Sequence, residues 1–124
     1  MGERKVLRAP VTEQMLAVHV GSGTLRVLAT PAVCALFEQA ASALAQTLVP
    51  AGQTTVGVSL CVDHLAPTPL GGQVAVTAEL VSHEGRAFQF RLLAEDGAGV
   101  VAKGTHTRAA VDSARFQAKA EKRA

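Results

Sequence analysis

Residues 28–48, LATPAVCALFEQAASALAQTL, constrain the fold more than any other stretch of the chain. Thr30 followed by Pro31 is a helix start, because threonine caps with its hydroxyl and proline is tolerated in the first turn. Ala and Leu dominate the residues after it, and nothing breaks the run before Pro50 and Gly52, so a helix over about 31–48 is expected. Such a helix is apolar around most of its circumference and must be covered on most sides. One carboxylate, Glu38, interrupts it, at the edge of a narrow polar stripe with Gln39, Ser42 and Gln46. A stripe of that kind is by itself an ordinary surface face.

After the helix the texture changes to alternation. Residues 56–65, 73–83, 86–96 and 99–112 read as four strands, and TEQMLAVHV (12–20) as a first one. HEGR is a tight hairpin turn around Gly85, EDGAG a second with Gly97 and Gly99, and APTPLGG (66–72) a longer connection. The expected order is a strand, the long helix, then an antiparallel meander of four strands. One sheet of about five strands curling around one helix satisfies the demand for cover, which is the α+β hot-dog architecture. A ferredoxin-like split needs a second long helix, and the sequence offers none before residues 113–124, which read as a C-terminal tail.

With 124 residues there is room for one core and a single domain over 1–124. That core is light, since the chain has four Phe and neither Trp nor Tyr, which favours help from a partner subunit. Net charge is +2, spread along the chain, and the Lys119, Lys122, Arg123 cluster falls in the tail as a solvated end. Without stacking aromatics or a basic stripe, nucleic-acid binding is not expected. No apolar run approaches a membrane span and MGERKVLRAP lacks a signal-peptide core, so the expected location is cytoplasmic. Cys34 and Cys61 read as free, buried thiols, and no residue pair has the spacing of a metal site.

His64 gives Glu38 a candidate partner. By strict alternation Val56, Val58, Leu60, Val62 and His64 share one apolar face, which should press on the helix. His64 ends that strand beside the Pro/Gly-rich connection, at a rim that a substrate can reach. A helix glutamate and a rim histidine within reach would make a nucleophile or general base with a proton shuttle. His19 and His83 read as solvent-facing, and His106, on the strand face of Val100, Ala102 and Gly104, as a bonded core residue. GSG (21–23) lacks the context of a dinucleotide loop and reads as a hinge.

VLATPAVCALFEQAA, TVGVSLCVDHLAPTPLGGQVAVTAEL and KGTHTRAAVD together resemble the fluoroacetyl-CoA thioesterase-like family of hot-dog proteins, over roughly residues 12–116. The resemblance implies a catalytic set of threonine, glutamate and histidine, which falls on Thr30, Glu38 and His64. It also puts Gly57 near the acyl site and Arg108 near the active-site strands. It further implies hydrolysis of an acyl-CoA thioester by a homodimer with its active sites near the subunit interface. No cofactor is implied beyond the CoA carried by the substrate. The chain departs from the pattern at 21–27, GSGTLRV, where fluoroacetyl-specialised members resemble one another in aromatic residues forming a lid. A more permissive acyl pocket is therefore expected. A hot-dog hydratase or dehydratase, and a noncatalytic acyl-binding protein, remain alternatives on the sequence.

Overall fold

The computed structural model describes residues 2–124. A five-stranded antiparallel sheet in the order β1-β3-β4-β5-β2 wraps one long helix. The elements are β1 (Arg4–Pro10), α1 (Ala17–Val20), α2 (Thr30–Gln46), β2 (Gln53–His64), β3 (Gln73–Glu84), β4 (Ala87–Asp96), β5 (Gly99–Asp112) and α3 (Ser113–Glu121). The α+β hot-dog layout expected from the helix is present.

α2 buries Val33, Leu36, Phe37, Ala40, Ala41, Leu44 and Ala45, a spacing of three and four that keeps one stripe against the sheet. The sheet answers with alternate residues: Val74, Val76, Ala78 and Leu80 from β3, and Phe88, Phe90, Leu92 and Ala94 from β4. Three of the four Phe lie in this core, and their ring area offsets the otherwise small side chains. The opposite sheet face is polar, where Glu79 stands across from Arg4 and Arg91 and pairs with both. The other side of α2 is uncovered in one chain, with Pro31, Ala35, Glu38, Gln39, Ala43 and Gln46 exposed.

Several expectations are corrected. The first strand is Arg4–Pro10; within 12–20 the chain forms a 3-10 turn at Glu13–Met15 and the short α1. The apolar alternation there reflects Leu16 and Ala17 tucking inward, with Leu16 bridged to Leu28. The meander has three strands, not four. β2 pairs with β5 at the far edge, so residues 65–72 carry the chain across the sheet to β3. Residues 113–121 are helical, with Asp112 capping α3 by accepting from the Arg115 backbone N–H at 2.9 Å. Cys34 and Cys61 are free thiols, but Cys61 is exposed and Cys34 only partly buried.

A β-bulge between Gly57 and Ser59 breaks the strict alternation of β2. Thr55 and Gly57 point toward α2, Val58 swings outward to 63% exposure, and inward alternation resumes at Leu60, Val62 and His64. The placement of Val56 and Val58 on the helix-facing side is thereby corrected. Gly104 lets β2 lie close on β5, since a Cβ there would run into the Cys61 carbonyl oxygen.

Candidate active site

Thr30 occupies the first turn of α2, but its hydroxyl does not cap the helix. Ala29 is the capping residue and no side chain serves the cap. The Thr30 Oγ1 instead lies 2.8 Å from Nδ1 of His64, at the C-terminal end of β2. The other imidazole nitrogen, Nε2, is buried and has no hydrogen-bond partner. A cleft of about 220 Å³ opens beside this pair between Val27, Leu28, Leu65 and Pro67.

Glu38 belongs to a different cluster. Eight residues further along α2, it stands about 12 Å from Thr30 along the helix axis. Its carboxylate ion-pairs with Nη1 of Arg108 at 3.6 Å, with the Glu38 side chain half exposed and Arg108 nearly enclosed. Gly57 faces the same carboxylate: a Cβ there would lie 2.5 Å from Glu38 Oε2. Glycine at the bulge is what allows β2 and the carboxylate to approach so closely. Thr30 with His64, and Glu38 with Gly57 and Arg108, thus form two groups in one chain.

Arg108 is held by fixed partners. Its Nε donates to the Thr55 hydroxyl at 2.8 Å and its Nη2 to the Thr55 carbonyl at 2.9 Å. Nη1 lies 3.2 Å from Nε2 of His106. A guanidinium only donates, so Nε2 of His106 accepts, and Nδ1 carries the proton donated to the Ser59 carbonyl at 2.7 Å. His106 is therefore a neutral imidazole with one tautomer. Burial pushes its pKa below the ordinary value; the bond to Ser59 opposes this, and the neighbouring Arg108 adds to the depression. Burial also lowers the Arg108 pKa, which Glu38 counteracts. The Cys34 thiol is pushed up by burial and then by the Glu38 charge, which disfavours the thiolate a nucleophile needs.

His106 and Thr55 are the members of this cluster that sequence reasoning did not place at the site. For His106 the signal was available, because it and Arg108 are two apart on β5 and share a face. Thr55 needed the bulge. His19 lies exposed in α1, and His83 stacks on Phe88 with ring centroids 3.9 Å apart. Among the described residues, no group of three or more His, Cys, Asp or Glu is placed to hold a metal. Among the described residues, no helix is long and apolar enough to cross a membrane.

Residues 11–114 match the profile of the FlK family, described as fluoroacetyl-CoA-specific thioesterase. The fluoroacetyl-CoA thioesterase of Streptantibioticus cattleyicolor is 44% identical over 94 residues, covering 75% of this chain and 67% of that protein. A solved structure of the fluoroacetyl-CoA thioesterase FlK superposes with a TM-score of 0.95 at 32% identity, covering 100% of this chain and 96% of that one. A hot-dog-like protein from Thermanaerovibrio acidaminovorans shares the fold, with a TM-score of 0.90 at 24% identity over 98% of this chain and 90% of that one.

Proposed function

The chain belongs to the family of fluoroacetyl-CoA-specific thioesterases, and from that premise we propose that it hydrolyses a small or medium acyl-CoA thioester to the free acid and CoA. The observation that carries the site assignment is the pairing of an accessible Glu38 carboxylate with the enclosed Arg108 guanidinium, directly opposite the side-chain-free Gly57.

A thioester carbonyl is activated enough for a positioned carboxylate to attack it, or to deprotonate a water that does. In the direct route a Glu38 oxygen bonds to the carbonyl carbon and the C–S bond breaks. CoA leaves as the thiolate, and water hydrolyses the resulting mixed anhydride. His64 moves protons to the thiolate or from the water, with Thr30 holding its ring through Nδ1. Backbone N–H groups near Gly57 or the start of α2 receive the developing oxyanion, a contact typically worth about 3 kcal/mol of barrier. No cofactor takes part beyond the CoA of the substrate, and the cytoplasm is the proposed compartment.

The two clusters meet across a homodimer. β2 is an edge strand of 12 residues, so a second copy can pair with it antiparallel and continue the sheet. A two-fold axis near Cys61, with the bulge taking up Val58, sets Gly57 opposite the partner subunit's His64, both on the inward face. Glu38 of one chain then works with Thr30 and His64 of the partner subunit. The lidless GSGTLRV segment, with Leu25 67% exposed, supports a more permissive acyl pocket than a fluoroacetyl-specific one.

A thiol-release assay over a panel of acyl-CoAs tests this reading. The wild type should liberate CoA, and Glu38→Gln should lower turnover at least about 10²-fold with the fold intact. Hydration of an enoyl-CoA without thiol release would replace the thioesterase by a hydratase. Saturable acyl-CoA binding without any turnover would replace it by a binding protein.

A further inference from the structure

Glu38 Oε2, His106 Cε1 and Arg108 Nη1 surround one small space, since they are the three atoms nearest to where a Gly57 Cβ would stand. His106 is only 3% exposed, yet it lines the cleft of about 180 Å³ that Glu38 and Gly57 share. The reaction proposed above leaves it without a part. The Arg108 guanidinium is held on one side by Thr55, through Nε and Nη2. Its remaining nitrogen, Nη1, has two hydrogens and two partners: Nε2 of His106 at 3.2 Å and the Glu38 carboxylate at 3.6 Å. Core filling alone calls for an apolar side chain at this place beside Phe90. A ring nitrogen fixed through the Ser59 carbonyl and turned to Nη1 is instead an acceptor for an enclosed cation.

We propose that His106 is a positioning residue of the reaction, holding Arg108 against Glu38 only while its Nε2 is free of a proton. This rests on the thioester hydrolysis proposed above and adds the group that keeps the carboxylate's partner in place. The Ser59 carbonyl accepts from Nδ1, so the Nε2 lone pair stays toward Nη1, whose second hydrogen is left for Glu38. Protonation turns Nε2 into a donor opposite a guanidinium that has only donors and does not deprotonate. Two cations then share an enclosed space, and the guanidinium leaves the geometry in which it meets Glu38. The charged groups facing the ring are Glu38 from α2 and Arg108 on its own strand; β2 presents the Ser59 carbonyl and β4 the Phe90 ring. Burial first, and the Arg108 charge with it, hold the proton off, against the Ser59 bond and Glu38. The holding state is therefore the one present at neutral pH, and acid releases it.

The test uses the full chain, with His106→Leu to remove the acceptor and His106→Gln to restore one. A glutamine Oε1 reaches the place of Nε2 but takes up no proton. With acetyl-CoA near neutral pH, kcat should fall about tenfold or more in His106→Leu while KM stays within about twofold, because the reacting carboxylate is disturbed and substrate binding is not. His106→Gln should recover most of that loss. The acid limb of kcat/KM should lie at lower pH in His106→Gln than in the wild type. His106→Leu/Arg108→Gln should lose no more than Arg108→Gln alone, as groups that act as one unit do. In NMR spectra the Arg108 Nε–H signal should be sharp in the wild type and in His106→Gln, and broadened by exchange in His106→Leu. No rescue by glutamine, an unshifted acid limb, or losses that simply add would overturn the proposal. If His106→Leu does not fold, the acid limb of His106→Gln decides. A wild type that releases no thiol from any acyl-CoA would refute the thioesterase reading instead, and the Nε–H comparison alone would then decide whether His106 holds Arg108.

Discussion

The Thr30 hydroxyl stands 2.8 Å from the His64 Nδ1, tying the first turn of α2 to the last residue of β2. Through this bond the helix start fixes how the imidazole is turned. Removing the hydroxyl therefore affects the histidine before it affects the helix, since Thr30 caps nothing.

Thr30→Ala should lower turnover by about tenfold or more, while costing only about 1 kcal/mol of stability for one exposed hydrogen bond. Thr30→Ser keeps the oxygen and should recover most of the rate. Turnover of the two variants alongside thermal melts checks this; equal loss in both would mean that the methyl group, not the bond, matters.

Gly57→Ala pushes a methyl group into the space of the Glu38 Oε2. The carboxylate end is flexible and can move aside, so stability should change by less than about 1 kcal/mol. The displaced carboxylate should nevertheless cost about 10²-fold in turnover, since misplacement by an ångström is that expensive for a reacting group. A variant with normal kinetics would separate Glu38 from the chemistry.

His106 predicts a pH dependence of stability. Its folded pKa lies below the ordinary 6.5, so the unfolded chain binds the proton more readily. Stability is then fully present above about pH 6.5 and is lost as the pH falls toward the folded value, by at most about 1.4 kcal/mol per pH unit. In His106→Gln that slope should flatten. Urea melts between pH 5 and pH 7.5 measure it; parallel slopes in the two proteins would rule His106 out as the source.

Cys61 reports on the proposed dimer. With a two-fold axis near it, Cys61 faces its own counterpart at the directly opposed spacing of about 5 Å between Cα atoms. Light scattering should give a dimer at micromolar concentration, and mild oxidation of Cys34→Ser should trap it covalently. Cys61→Ser should abolish the trapping. A stable monomer would sink the shared site, and a dimer that never cross-links would move its axis.

The core helix, the hairpin turn at Gly85 and the strands from β2 onward were legible because each is written in local periodicity and turn chemistry. Gly85 has φ 58°, the left-handed conformation that the HEGR turn requires. β1 was not legible, since RKVLRAP is an edge strand whose charges and proline resemble a tail. Strand order was also hidden, because nothing in the sequence of β2 says that it pairs with β5 and not β3. The bulge at Gly57 is the sharpest case. It reverses which residues of β2 face the helix, and it brings Thr55 to Arg108, yet one extra residue in a strand leaves no trace in an alternating pattern. At the site, the spacing of Thr30, Glu38 and His64 was readable, but their separation into two clusters is a matter of distance along a helix.

The pairing of β2 with β5 sets the order in which the chain can assemble. β3, β4 and β5 are joined by tight turns and can zip up from local contacts, whereas β2 must wait for β5 to exist before it has an edge to join. Its position then depends on the connection 65–72 swinging across the finished hairpins. The strand that carries Gly57 and His64 is thus captured after the β3–β5 meander, as β1 is against β3, and in the proposed dimer its outer edge is covered only when a second chain arrives. Refolding should proceed with a slow, concentration-dependent final phase in which activity returns after most of the secondary structure, and crowded, incompletely docked chains should be lost to mispairing along that edge.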